Sequence, residues 1–191
     1  MATKKRPGVI RFVLTDDDYA AFGRYRILYT EGGRKLVNRQ RLTYFISGVI
    51  MAALFTVFHV DRSFTILAYI VAAVIGIGGP LISERLLLRQ QDKAIQSSKD
   101  DIDRVHPVEN VVTLGDDALT TDAGDDHQSF DYKDIKLVDL TEDAIYVWMS
   151  DTMIMPIPLH AFGEMSEMKE TYNLIRQKIK EAGGTAGDDD K

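Results

Sequence analysis

The period of the hydrophobic positions changes several times along the chain. Residues 9–14, Val-Ile-Arg-Phe-Val-Leu, read as a short strand, and Thr15 followed by Asp16, Asp17 and Asp18 reads as a helix start, with a capping hydroxyl and acids in the first turn. Tyr19, Phe22, Arg26 and Tyr29 continue at helical spacing, until Glu31-Gly32-Gly33 is expected to break that helix. Two runs without a formal charge follow, nineteen residues from Leu42 to Val60 and twenty-one from Ser63 to Ser83, separated only by Asp61 and Arg62. At about 1.5 Å per residue each run reaches roughly 30 Å, the thickness of a bilayer's hydrocarbon core. Neither shows the polar stripe expected of a helix buried in a soluble bundle. The helical pattern is expected to continue through Leu86, Leu87, Gln90 and Ala94 and to fade in the polar stretch 96–101. From Pro107 the period falls to two, with runs near 108–114, 118–122, 127–131, 134–140, 144–150 and 153–157 and turn residues between them. This pattern predicts an antiparallel meander of six or seven strands, with Ile145, Val147 and Met149 on one face and Tyr146 and Trp148 on the other. Met165, Met168, Tyr172, Ile175 and Ile179 then return to helical spacing, ended by Gly183-Gly184, and that helix is expected to close the open end of a bent sheet.

The reading is therefore a membrane α-hairpin plus a mainly-β domain, divided into a basic strand-helix segment (1–41), a hairpin of two transmembrane helices (42–60 and 63–83), a helical linker (84–103), a β domain (104–182) and a disordered acidic tail (183–191). Charge sharpens the division. Residues 1–41 hold 10 Lys and Arg against 4 Asp and Glu, residues 42–100 hold 5 against 4, and residues 101–191 hold 8 against 21. Basic residues near a span stay on the cytoplasmic side, so Arg34, Lys35, Arg39 and Arg41 before the first run and Arg85, Arg89 and Lys93 after the second place both flanks there. Arg39, Arg41, Arg85 and Arg89 are the expected headgroup contacts. Small residues recur every fourth position, Gly48 and Ala52 in the first run and Ala68, Ala72 and Gly76 in the second, as in helices that pack closely in lipid. The hairpin is their expected user, a homo-oligomer the alternative. Gly76, Gly78, Gly79 and Pro80 are expected to loosen or kink the second helix.

The search for chemistry returns little. The chain has no cysteine, and its four histidines, His59, His106, His127 and His160, have no His or Cys partner at metal-ligand spacing, so no metal is expected. Asp122, Asp125 and Asp126 surround Gly124 without the later Glu of a calcium loop, and no nucleophile elbow or phosphate loop is present. No catalytic residue, no cofactor and no nucleic-acid partner are expected. The acidic turns carrying Asp116, Asp117, Asp125 and Asp126 are instead candidate contacts for a protein partner.

The stretch Arg11-Phe-Val-Leu-Thr-Asp-Asp-Asp-Tyr19 with Phe22 and Tyr25, the two adjoining spans, the segment Tyr132-Lys-Asp-Ile-Lys-Leu-Val-Asp-Leu-Thr-Glu-Asp-Ala-Ile-Tyr-Val-Trp-Met149, and Ile157-Pro158-Leu-His-Ala-Phe162 together resemble the YcxB-like family of bacterial membrane proteins. The resemblance covers most of the chain and implies an inner-membrane hairpin followed by a pleckstrin-homology-like cytoplasmic domain, a partial barrel capped by the C-terminal helix. Its motifs are core and turn residues and carry no catalytic set. Tyr132 stands where members often have Trp, and Leu159 and His160 stand where a basic residue is usual. Three roles then compete: an interaction or regulatory subunit of a membrane complex, a lipid sensor, and a cell-envelope enzyme. A reader of anionic headgroups needs a basic cluster, which 21 acids against 8 bases do not favour, so the interaction role leads.

Overall fold

A computed structural model describes residues 8–57, 62–102 and 108–185. The chain runs β1 (Val9–Val13), α1 (Asp16–Tyr29), α2 (Glu31–Val57), α3 (Arg62–Ala73), a π-helical turn (Val74–Gly78), α4 (Gly79–Ile102), six strands β2 to β7, and α5 (Met165–Glu181). The strands are β2 (Glu109–Leu114), β3 (Ala118–Ala123), β4 (Asp126–Asp131), β5 (Leu137–Leu140), β6 (Ala144–Trp148) and β7 (Ile154–Pro158). Two compact units result, residues 1–19 with 103–191, and residues 20–102.

The first unit is a pair of antiparallel sheets, one in the order β1-β2-β3-β4 and the other β5-β6-β7. The six later strands fall where the alternation placed them, but the first sheet takes its edge strand from before the apolar runs. Val9 pairs with Thr113 and Val13 with Glu109, so the unit is not confined to residues 104–182. The reason lies in β1 itself: Ile10 and Phe12 alternate inward beside Val112 and Leu119, and the sheet buries them. The core continues through Ile135, Val138, Ile145, Val147, Ile157 and Phe162 and is closed by Met168, Ile175 and Ile179 of α5. Central strand β6 is buried on both faces from Ala144 to Val147. Tyr146, on the face away from the core, has Asp139 and Pro156 as its cross-strand neighbours.

Local chemistry fixes the element ends. At α1, Thr15 Oγ1 accepts the Asp18 amide while the Asp18 carboxylate accepts the Thr15 amide at 2.7 Å, a reciprocal capping box. Gly183 takes φ +81° after α5, letting the Gly184 amide return to the Ile179 carbonyl at 2.9 Å. The break between α1 and α2 falls at Thr30 rather than at the glycines, because the Thr30 hydroxyl accepts the Gly33 amide and caps a new helix. Gly32 and Gly33 therefore sit inside the first turn of α2, and a side chain on Gly33 would collide with the Arg26 and Ile27 carbonyls.

The second unit is a helical hairpin with α1 beside it. Residues 31–57 and 66–91 form two helices long and apolar enough to cross a membrane. They are exposed rather than buried, with only 6% of the first apolar stretch and 28% of the second covered by protein. The polar stretch 96–101 does not end the second helix, which continues to Ile102. The expected loosening of the second helix takes the form of the π turn, which ends one residue before the Gly79-Pro80 pair. Proline has no N–H to give an α-type bond to Gly76, and a widened turn accommodates that missing donor and the ring. The hairpin connection with His59 and Asp61, His106, and the tail from residue 186 lie outside the described residues.

Candidate functional site

The small residues of the two apolar helices converge. A methyl placed on Gly48 would lie 2.6 Å from the Gly76 Cα and 2.8 Å from the Ala72 carbonyl oxygen, so the backbones touch at this level. Ala68 and Ala72 are buried with them, while Ala52 is half-buried. One turn toward the basic flank, Tyr44 covers Gly79, and toward the other end the Thr56 and Tyr69 hydroxyls pair at 2.6 Å. Opposite this seam Phe45, Val49, Ile50, Leu54, Ile66 and Ile70 point outward, each about half exposed.

At the basic flank, Arg39, Arg85 and Arg89 are exposed. Arg41 is also exposed, and its guanidinium lies 3.5 Å from the Glu84 carboxylate across the two helices. The sequence treated these arginines as equivalent, but the packing singles out Arg41 because its turn of α2 faces α4.

The four acidic candidates do not form one patch. Asp116 and Asp117 occupy the β2–β3 turn, and Asp125 and Asp126 occupy or adjoin the two-residue β3–β4 turn. Consecutive hairpin turns lie at opposite ends of a sheet, so the pairs are separated by the length of β3, about 20 Å at 3.4 Å per residue. The Asp125 end is the one at which β1 leaves the sheet and β2 enters it.

At the far end, Lys178 lies 3.8 Å from fully exposed Asp116 and stacks over the Tyr132 ring at 5.6 Å. The Tyr132 hydroxyl donates to the Gly115 carbonyl at 3.2 Å. Burial, helped by the Asp116 charge, pushes its pKa up to about 12. Asp131 accepts a hydrogen bond from exposed Lys133 and, with Asp134 nearby, raises that ammonium's pKa above its ordinary value. His160 ties the turn after β7 to the start of the chain. Its Nε2 lies 3.2 Å from the Val13 carbonyl and its Nδ1 lies 3.5 Å from Asp18. Among the described residues no three His, Cys, Asp or Glu side chains come together as metal ligands.

At the Asp125 end the fold makes a feature that the sequence reading missed. A cavity of about 200 Å³ opens between the two sheets, with Phe130, Met149, Met153 and Met155 among its apolar lining and Asp126 and Gln128 among its polar lining. Asp126 accepts from Gln128 at 2.8 Å. The β6–β7 turn that presents Met153 is set by the Met149 amide bonding the Met153 carbonyl and the Ser150 hydroxyl accepting the Met153 amide. Met153 is 42% exposed, a large apolar side chain offered to solvent beside a carboxylate. The only sequence signal was the density of methionines in Met149–Met155, which periodicity assigned to strand and turn.

No family model, curated protein or solved structure matches this chain.

Proposed function

We propose that this chain is an integral membrane protein of the YcxB-like kind, with two spans, both flanks cytoplasmic, and a pleckstrin-homology-like domain that docks a protein partner as a subunit of an inner-membrane complex. The observation that carries the docking role is the methionine-lined cavity with Asp126 at its side on a strongly acidic unit. Methionine is unbranched and polarizable and adapts to varied apolar shapes, while the carboxylates favour a basic segment and speed its encounter. The fitting partner is a basic segment bearing one or two apolar anchors.

Membrane insertion is supported by the two exposed apolar helices, since a contiguous apolar surface of that size on a protein surrounded by water is an aggregation liability. The sheet supports the topology independently of the arginines. β1 precedes the first apolar helix, β2 follows the second, and the two strands hydrogen-bond over five residues, an arrangement that fits both flanks lying on one side of a bilayer. Four strands in one sheet, three in the other and a C-terminal helix over their open end fit the pleckstrin-homology-like arrangement.

The test uses the full chain in its membrane. A photo-crosslinking amino acid at Met153 is expected to give one discrete protein adduct, which Asp126→Lys removes and Asp116→Lys, at the other end of the sheet, leaves in place. Adducts to lipid alone would favour the lipid sensor and overturn the docking role. A phosphatase reporter fused after Lys191 is expected to be inactive and a fluorescent one active; the reverse would overturn the topology.

A further inference from the structure

We infer that the flank of the hairpin holds a site for the phosphodiester of an anionic phospholipid, in the cavity bounded by Arg34, Asn38 and Arg41 of α2, Ile27 and Leu28 of α1, and Glu84 of α4. The inference rests on the membrane reading above. The cavity measures about 230 Å³ and is completed by Val37. Arg34, Asn38 and Arg41 fall at i, i+4 and i+7, one face of α2, and all three line one space.

Among the described residues, neither the Arg34 guanidinium nor the Asn38 amide has a hydrogen-bond or ion-pair partner. Arg41 is different: Glu84 at 3.5 Å fixes one side of its guanidinium and leaves the other N–H groups for a ligand. The formal charge of the cavity is therefore +1, two arginines less one glutamate. That balance suits a phosphodiester, which carries one negative charge, better than a phosphate monoester with nearly two. Arginine presents paired donors to phosphate oxygens, and a basic pocket between membrane helices on the cytoplasmic side is a recognised headgroup site.

The level and the lining argue for a lipid as the source of the phosphate. Arg41 directly precedes the uncharged run that begins at Leu42, and Arg34 lies about 10 Å farther along the helix, which brackets the headgroup layer. Ile27, Leu28 and Val37 give an apolar wall for the glycerol and the upper acyl carbons, which a free phosphate ion would not use. Exposed Arg39, on the same helix, does not line the cavity. It supplies a control with the same charge.

The experiment is native mass spectrometry of the full chain released from nanodiscs of phosphatidylcholine and phosphatidylglycerol. One phosphatidylglycerol per chain is expected to stay bound in preference to phosphatidylcholine. Arg34→Gln and Arg41→Gln should each weaken that retention about fivefold, the effect of removing one well-placed cation, and Arg39→Gln by less than about twofold. Equal retention of the two lipids, or an equal loss in Arg39→Gln, would overturn the site in favour of a diffuse basic belt. Displacement of the lipid by millimolar glycerol phosphate would overturn the lipid assignment in favour of a soluble phosphate ligand. Release of the chain from membranes by alkaline carbonate would overturn the membrane reading itself. A chain that stays inserted yet shows no lipid preference overturns the pocket alone.

Discussion

At the scale of single residues, the same amino acid has different consequences on the two sides of one contact. A methyl on Gly48 would lie 2.6 Å from Gly76 Cα, against backbone that cannot yield, whereas a methyl on Gly76 would lie 3.4 Å from Gly48 Cα. Gly48→Ala is therefore expected to lower hairpin stability by about 1–3 kcal/mol, the usual cost of overpacking. Gly76→Ala should be nearly neutral, and thermal melts of the two variants in detergent, followed by helical circular dichroism, check the asymmetry. The sequence made both glycines candidates for close packing, but a spacing of four gives a face and not an order of depth. Tyr132 supports a second prediction. Its folded-state pKa of about 12 lies above its ordinary 10.0, so folding favours the protonated phenol. Its contribution to stability should be full below about pH 10 and lost as the pH rises toward 12. Spectrophotometric titration should show a tyrosine ionisation near pH 12 that is absent from Tyr132→Phe.

Most elements were legible from local pattern, and what escaped depends on partners distant in the chain. The capping box at Thr15 and the run of α5 are carried by residues three or four apart, and the structure places α1 and α5 accordingly. The polar stretch 96–101 pointed to a fading helix, yet α4 continues to Ile102, because polar side chains do not end a helix that has no breaker. The methionine-lined cavity escaped altogether, since β2, β3, β4, β6 and β7 must all be in place before Phe130 and Met153 meet. Helix α5 carries the element-scale prediction. Met168, Ile175 and Ile179 are fully buried and form the lid of the sheet core. Ile175→Ala should remove about 2–5 kcal/mol from the β unit, the range for deleting a buried branched side chain. A chemical denaturation midpoint for Trp148 fluorescence that does not move would place α5 outside the cooperative core.

At the scale of the whole molecule, the apolar hairpin is inserted in the sequence between two paired strands of one sheet. Alternation identified 9–14 as a strand and 108–157 as a meander, but nothing local told that β1 joins the meander, because Arg11 and Glu109, which pair across the strands, stand 98 residues apart. Closing so long a loop is slow and costs chain entropy. The antiparallel packing of α2 on α4 reduces that cost by bringing Arg41 beside Glu84, which shortens the chain left free between β1 and β2. Strand β1 should therefore be indispensable although it lies far outside the meander. Deleting residues 1–14 removes Ile10 and Phe12 from the core and leaves the β2 edge unpaired from Glu109 to Thr113. An unpaired edge beside a partly vacated core invites strand pairing with a second chain. The truncated protein, purified in detergent, should lose amide-exchange protection along β2 and self-associate through the β unit. Deleting residues 1–7 alone, which keeps all five register pairs, should do neither. Full β2 protection in the longer truncation would mean that the sheet closes without β1.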